Sequence, residues 1–276
     1  MPDITAAAVK AMRERTGLPM MECKKALQET GGDESAAVDW LRKQGIKTQE
    51  TRLGRETSAG RIAVYADVAQ GAGAMVELMC ESAPVAGSPD FRQLANDLAK
   101  QLATGPGAET AEELLAQPSP SKTGVTLAQQ KDELFNRMRE VVKVGRIVRF
   151  RGAAGGYAHH DGSIGTLVEV SGGDNDTAKD IAMHITAQKP KVVAKENLDP
   201  ADIDKEREIL TVAARKEGKP ENIIAKMIEG RLRNFFSEKV LLEQPFVRDD
   251  KQTVGQIAKK SGMTIKRFVR WELGKE

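Results

Sequence analysis

The sequence predicts an α+β protein, and three observations carry that prediction. Apolar residues recur at helical spacing from Ile4 to Ile46. Short β-prone runs appear in two separate blocks, each followed by an amphipathic helix pattern. Two long charged helical patterns then flank Glu217-Gly218-Lys219-Pro220. At 276 residues the chain has room for one large domain or two ordinary ones, taking roughly 150 residues per domain.

The first block reads as three short helices. Ala8, Val9 and Met12 keep helical spacing until Thr16-Gly17-Leu18-Pro19, where Gly suits a C-cap and Pro cannot continue a helix interior. Met20 to Glu29 makes the second helix, closed by Thr30-Gly31-Gly32-Asp33. Asp33 caps a third helix with Ala37, Val38, Trp40 and Leu41 as its apolar face, ending before Gly45. So small a bundle has little core and suits docking better than catalysis. A basic, Gly-punctuated connector, Arg42 to Gly60, follows.

Strand-like periodicity begins at Ile62, Val64 and Tyr65 and returns over Ala74 to Met79, with Gln70-Gly71-Ala72-Gly73 as the hairpin loop. Ser88 as N-cap, Pro89 at the first position and Asp90 open a helix with the face Phe91, Leu94, Leu98 and Leu102. Thr104 to Gly124, rich in Gly and Pro, reads as a mobile or irregular excursion with one short helix near Glu112 to Ala116. A helix over Thr126 to Lys143 leads to a second block. Ile147 to Phe150 and Gly165 to Val170 are strand-like, and Val168-Glu169-Val170 echoes Val76-Glu77-Leu78. Ala178, Ile181, Ala182 and Ile185 echo Ala95, Leu98, Ala99 and Leu102, which predicts two related hairpin-plus-helix subdomains.

Asp199-Pro200 and Pro220-Glu221 start the two arms of an antiparallel helical hairpin. Ile203, Ile209, Leu210 and Ala213 are expected to face Ile223, Ile224, Met227, Ile228 and Leu232. Thr253 to Gly262 reads as a helix, and Phe268 to Leu273 as a strand with Val269, Trp271 and Leu273 on one face. The expected organisation is residues 1–52, 53–143 and 144–276, with the hairpin at about 199–242 in the third segment.

Composition excludes several functions. Lys and Arg number 42 against 40 Asp and Glu, a net charge of +2 that lacks the basic excess of a dedicated nucleic-acid binder. Aromatic residues make up 4%, too few for base-stacking platforms. No uncharged apolar run approaches the roughly 18–20 residues that span a bilayer. Met1 to Ile4 carries Asp3 with no basic or apolar leader pattern, so a cytoplasmic, membrane-free protein is expected. Cys23 and Cys80 form neither a CxxC nor a second pair and are expected as free, buried thiols.

No catalytic or cofactor motif emerges. The chain has no phosphate loop, and Gly71-Ala72-Gly73 lacks the third glycine of a dinucleotide fingerprint. Asp161-Gly162-Ser163-Ile164-Gly165 has Asp where a nucleophile elbow needs glycine. His159-His160 beside Asp161 reads as a polar loop, a partner contact or, with no other His or Cys clustered near it, a poor metal site. No enzyme activity, metal or cofactor is therefore expected. Thr253 to Trp271 admits two readings: a capped helix before a strand, or a helix-turn-helix supported by 17 Lys and Arg against 11 Asp and Glu from residue 205 onward. The alternation of Val269, Trp271 and Leu273 favours the strand. At Met20-Met21 adjacent side chains cannot both point inward, so one is expected on the surface, near Lys10, Arg13 and Lys24.

These last residues carry a resemblance. Met12-Arg13-Glu14-Arg15-Thr16-Gly17 followed by Met20-Met21-Glu22-Cys23-Lys24-Lys25-Ala26-Leu27 resembles the N-terminal signature of bacterial elongation factor Ts. The likeness continues through Glu77-Leu78-Met79-Cys80-Glu81, Ile181-Ala182-Met183-His184, Lys226-Met227-Ile228-Glu229-Gly230-Arg231 and Gln244-Pro245-Phe246-Val247. It implies a ubiquitin-associated-like three-helix module, a core of two related antiparallel-sheet-plus-helix subdomains, and an antiparallel coiled-coil hairpin. It also implies a guanine-nucleotide exchange factor that binds elongation factor Tu in its GDP-bound and nucleotide-free forms, with no direct contact to nucleic acid. By the same resemblance Arg13, Met20, Met21 and Lys24 would hold the partner's GTPase domain, with His159 as a second contact. A non-exchanging partner or chaperone of the GTPase, or a nucleic-acid-associated regulator using the basic C-terminal region, is the alternative.

One segment departs from the family. The turn after the Glu77 to Glu81 strand is typically Thr-Asp-Phe-Val, whose ring wedges into the GTPase near its magnesium. Here it is Ser82-Ala83-Pro84-Val85. Ala83 has no carboxylate to accept hydrogen bonds, and Pro84 offers a small, rigid apolar unit without a backbone N–H. The expectation is a blunter wedge at Pro84, backed by Val85, with more of the work carried by the N-terminal module and His159.

Overall fold

The computed structural model describes residues 4–52, 54–216 and 220–275. The expected leader-free start at Met1 to Asp3, the connector position Leu53 and the hairpin turn Glu217-Gly218-Lys219 lie outside the described residues. The chain is α+β and divides into two compact units, one of Met1–Ala63, Val76–Ile147 and Leu273–Lys275, the other of Val64–Met75 and Val148–Glu272.

The first unit opens with helices α1 (Ala6–Thr16), α2 (Met20–Glu29) and α3 (Glu34–Arg52). Thr5 caps α1 by accepting from the Ala8 N–H at 3.2 Å, and Gly17 ends it in the left-handed region at φ 68°. Val9, Met12, Leu18, Cys23, Ala26, Leu27, Ala37 and Leu41 form one buried cluster. Helix α3 does not stop at Gly45 but runs on to Arg52, so the expected connector is largely helical. Gly45 is there for another reason: a Cβ on it would fall 1.9 Å from the Asn136 amide oxygen, so glycine lets the helix pass close to that side chain.

Strands β1 (Ala59–Asp67) and β2 (Ala72–Cys80) form the predicted hairpin, turning over residues 68–71, slightly earlier than the sequence suggests. Helix α4 (Ala83–Ala86) is a single turn. Helix α5 (Pro89–Thr104) follows, with Ser88 accepting from the Phe91 N–H and Phe91, Leu94, Leu98 and Leu102 fully buried. The Gly/Pro-rich excursion carries α6 (Ala111–Leu115) and is fastened rather than loose. The Gln117 side chain donates to the Gly107 carbonyl at 2.7 Å, and Ser121 hydrogen-bonds the buried Asp97 carboxylate. Helix α7 (Leu127–Met138) is shorter than expected. Arg139 ends it in the left-handed conformation at φ 59°, and β3 (Val142–Phe150) begins where the sequence suggested more helix. β2 is central in the order β1-β2-β3.

In the second unit β4 (Ala154–Ala158), β5 (Ile164–Ser171) and β8 (Thr264–Glu272) form an antiparallel sheet with β5 central. Helix α8 (Asn175–Gln188), capped by Asp174, packs on β4 and β5. The echoed runs Val76-Glu77-Leu78 and Val168-Glu169-Val170 lie on the central strands of the two sheets, but Ile147 to Phe150, expected beside Gly165 to Val170, belongs to β3 of the first sheet. Glu77 on central β2 pairs with Arg146 of β3 at 2.8 Å, and Glu169 on central β5 pairs with Arg267 of β8 at 2.7 Å. Helices α9 (Pro200–Lys216) and α10 (Glu221–Lys239) lie against each other through Ala214, Ile224, Ile228 and Leu232. Ile209 and Ile223, expected inside, are 53% and 46% exposed, because Ala214 and Ile224 take the inward positions. Strands β6 (Pro245–Phe246) and β7 (Asp249–Thr253) precede α11 (Val254–Lys260), which a Thr253/Gln256 capping box starts. The segment after α11 is strand β8, paired antiparallel with β5 along its length apart from one register shift at Glu169/Val170, so the recognition helix that a helix-turn-helix requires is absent here.

Candidate partner interface

The predicted contact residues fall in both units. In the first, the α2 positions Cys23, Ala26 and Leu27 face the module's core. That leaves the opposite face outward: Met21 and Lys24 stand three apart, Met20 and Lys24 four apart, and all three share one side of the helix. Met20 is 49% and Met21 71% exposed, so both methionines are on the surface where the sequence argument required one. Arg13 is exposed in the last turn of α1. Its neighbour Arg15 instead closes the module, bonding the Glu34 carboxylate at 3.1 Å and the Glu34 carbonyl at 2.9 Å. Helix α2 has no side-chain N-cap, since Pro19 occupies that position, and its first-turn Glu22 ion-pairs with Arg139 just past α7.

The segment Ser82-Ala83-Pro84-Val85 is a helical turn rather than an open loop, with Pro84 at its second position. Ala83 and Pro84 are exposed, while Val85 and Ala86 are buried beneath them. Ser82 is clamped by one carboxylate: its N–H donates to Glu140 at 3.0 Å and its hydroxyl at 2.6 Å. The Cys80 thiol donates to the Ser82 carbonyl at 3.2 Å. Burial pushes that thiol up to about 11, so it stays protonated and serves packing. Cys23 is likewise free and buried.

In the second unit His159 follows β4 at the mouth of the β4–β5 hairpin. Its N–H donates to the Ile164 carbonyl at 2.9 Å, and its Nδ1 lies 2.8 Å from Asp161. Asp161 accepts from the Ser163 hydroxyl at 2.7 Å and the Ser163 N–H at 2.8 Å. These bonds hold its carboxyl well below the ordinary carboxylate range. The backbone of His159 is thus fixed at the hairpin, and its half-exposed imidazole stands beside the Asp161 carboxylate. Among the described residues no group of His, Cys, Asp and Glu is arranged to hold a metal ion.

A cleft of about 610 Å³ opens in the first unit between the module and α7, lined in part by Arg15, Leu18, Val38, Arg42, Glu133 and Arg137. Its charges engage one another: Glu133 lies 3.7 Å from Arg42 and 2.7 Å from Lys122, and Arg137 lies 3.0 Å from Asp90. The lining sets Arg15, Arg42, Lys122 and Arg137 against Asp39 and Glu133, a cationic seam with no catalytic pairing in it.

Arg139, Glu140 and Glu22 were invisible to the sequence argument. Their partners are 117 and 58 residues away, and the only local hint is a non-glycine helix end before a β-prone run.

Comparison with known proteins adds to this geometry. The family model described as Elongation factor TS matches residues 56–275. A curated relative named elongation factor Ts from Methylococcus capsulatus is 44% identical over 273 residues, covering 98% of this chain and 92% of the relative. One of the same name from Alkalilimnicola ehrlichii is 42% identical with the same coverage. One from Clostridium botulinum is 41% identical over 285 residues, with 98% and 93% covered.

Proposed function

We propose nucleotide exchange on elongation factor Tu as the function of this chain, which belongs to the elongation factor Ts family. In this reading the protein is a translation elongation factor of the cytoplasm. It binds the GDP-bound factor, promotes release of GDP so that GTP can bind, and has no catalytic centre or cofactor of its own. Segment 1–52 docks on the GTPase, 53–143 carries the Ser82 to Val85 turn, and 144–276 carries His159 and the helical hairpin.

The observation that supports it best is the pair Met20 and Met21, 49% and 71% exposed on a module that completes its core without them. Flexible apolar side chains beside Lys24 and Arg13 fit a surface that buries area while cations orient the encounter. Pro84 is presented on a turn fixed from both sides, by the Ser82 clamp and by buried Val85. The strand after α11 removes the main support for a nucleic-acid reader.

Exchange needs no reaction centre. A factor that binds the emptied GTPase more tightly than the filled one lowers nucleotide affinity by the same ratio. A nanomolar nucleotide is held by about 12 kcal/mol, and a few kcal/mol of opposing contact suffices for rapid release. The test is stopped-flow release of labelled GDP from elongation factor Tu with the wild type, Pro84→Gly and Ala83→Asp/Pro84→Phe. Acceleration by the wild type and a change with the turn are expected. Binding without acceleration would instead establish a non-exchanging partner.

A further inference from the structure

The three residues joining α7 to β3 touch both candidate contact elements of the first unit. Arg139, in the left-handed conformation, ion-pairs with Glu22 in the first turn of α2, between Met21 and Lys24 in the contact stretch. Glu140 clamps Ser82 through its N–H at 3.0 Å and its hydroxyl at 2.6 Å. Val141 donates its N–H to Glu81 at 2.8 Å, fixing the end of β2 from which the turn departs.

Neither contact element is self-sufficient at its start. Helix α2 begins at Pro19 with no side-chain cap, and α4 is one turn with no side-chain cap. A four-residue helix does not persist by its own hydrogen bonds. Packing through Cys23, Ala26, Leu27 and Val85 seats the two elements, and the side-chain anchors at their starts, neighbours in the chain, tie Met20, Met21 and Pro84 to one connection. The φ of 59° at Arg139 reverses the chain at that point, letting adjacent side chains reach two separate elements. Arg139 is 28% exposed and Glu22 42%, so their pair is a poor source of stability but a good source of orientation.

We propose that Arg139-Glu140-Val141 is a positioning element that holds the docking face of α2 and the Pro84 turn in one fixed relation, so that docking on the GTPase delivers the turn to its nucleotide site. This rests on the exchange reading above. Arg139 and Glu140 are positioning residues, acting through Glu22 and Ser82.

The test compares wild type, Glu140→Ala, Glu140→Gln, Arg139→Ala, Arg139→Lys and the double alanine variant of the full chain. Affinity for GDP-bound elongation factor Tu is measured separately from GDP release at saturating exchange factor. Glu140→Ala is expected to lower the saturated release rate about tenfold, the loss of a charged hydrogen-bond clamp, with affinity for the GDP-bound form within about twofold. Glu140→Gln, which keeps one acceptor, should recover part of the rate. Arg139→Lys should recover more than Arg139→Ala. Because the two residues serve one connection, the double variant should lose little beyond the worse single variant.

A saturated rate unchanged in Glu140→Ala would overturn the proposal. So would parallel losses of affinity and melting temperature with the saturated rate intact, which mark a merely structural role. A wild type that does not accelerate release defeats the exchange reading instead. The anchor itself is then read in the free protein by hydrogen exchange. Glu140→Ala should expose the amides of residues 82–87 and spare those of 20–29, and unchanged protection at 82–87 overturns the tether however the release assay falls.

Discussion

Replacing Met20 and Met21 by alanine tests the docking surface without touching the fold. Full burial of a methionine side chain is worth about 2 kcal/mol. Scaled by exposures of 49% and 71%, the area still available to a partner is worth about 1 kcal/mol at Met20 and about 1.4 kcal/mol at Met21. Binding to nucleotide-free elongation factor Tu should therefore weaken about fivefold in Met20→Ala and about tenfold in Met21→Ala. The double variant should approach 50-fold, less whatever the two neighbours share. Both side chains already stand in water in the free protein, so its melting temperature should move by no more than about 1–2 °C. Isothermal titration gives the affinities and calorimetry the melting. An affinity within twofold of wild type in the double variant refutes the docking surface. A loss of affinity that tracks a fall in melting temperature refutes the claim that the two side chains are spare to the fold.

Other consequences follow from buried polar groups. His184 is fully buried, and desolvation lowers its pKa against a raising bond with Gln244 at 2.9 Å, while its Nδ1 accepts from the Val247 N–H at 3.2 Å. A depressed histidine favours the fold above its unfolded pKa of about 6.5 and loses that contribution as pH falls toward its folded pKa. Urea unfolding should show lower stability at pH 5.5 than at pH 7.5, with a smaller difference in His184→Leu. Burial pushes the Glu77 carboxyl up, but Arg146 and the Gly274 N–H outweigh it and hold it below its ordinary value. Its contribution is present above its unfolded pKa of about 4.5 and is lost as pH falls through the folded one. Arg146→Ala strands a carboxylate that is 4% exposed and should cost about 3 kcal/mol in urea unfolding, the low end because Arg146 is partly solvated. Gly45→Ala should destabilise by about 1–2 kcal/mol through the clash with Asn136, despite gaining helix propensity. In an Asn136→Ala background the same change should stabilise by up to about 1 kcal/mol.

Legibility in the sequence followed locality. The helix starts at Asp33 and Ser88 announce themselves because the capping side chain bonds the backbone N–H three residues on. What tertiary contact decides was misplaced. Gly45 resembles a stop until Asn136 supplies the reason for a glycine inside α3. Helix α7 ends at an arginine, with no residue preference to mark it. Strand β4 hides behind Gly155-Gly156, whose missing Cβ atoms let Ala178 and Val64 approach to within 2.5 Å of where those atoms would sit. At the candidate contact face, helical periodicity announces one exposed methionine of Met20-Met21, and the structure exposes both. The Glu140 clamp was not legible, since a carboxylate in a charged chain carries no sign of a serine 58 residues away.

The turn at Pro84 sets a bound on how much the missing aromatic ring matters. A phenylalanine wedge buries about 2–3 kcal/mol of apolar surface, whereas a proline ring buries roughly half that. Against this, proline brings no side-chain rotamers to order and a fixed φ, which spares about 0.5–1 kcal/mol on binding. The net deficit is about 0.5 kcal/mol, or roughly twofold in the ratio of affinities for filled and emptied GTPase. Ser82 is clamped and Val85 buried, so the backbone that presents the residue is the same in either case. Ala83→Asp/Pro84→Phe should then raise saturated GDP release by less than about tenfold, and Pro84→Gly, which removes both ring and rigidity, should lower it by a comparable factor. A hundredfold gain in the first variant would mean that the native turn contributes almost nothing to release. The coupling would then have to arise from the α2 docking face and His159 alone.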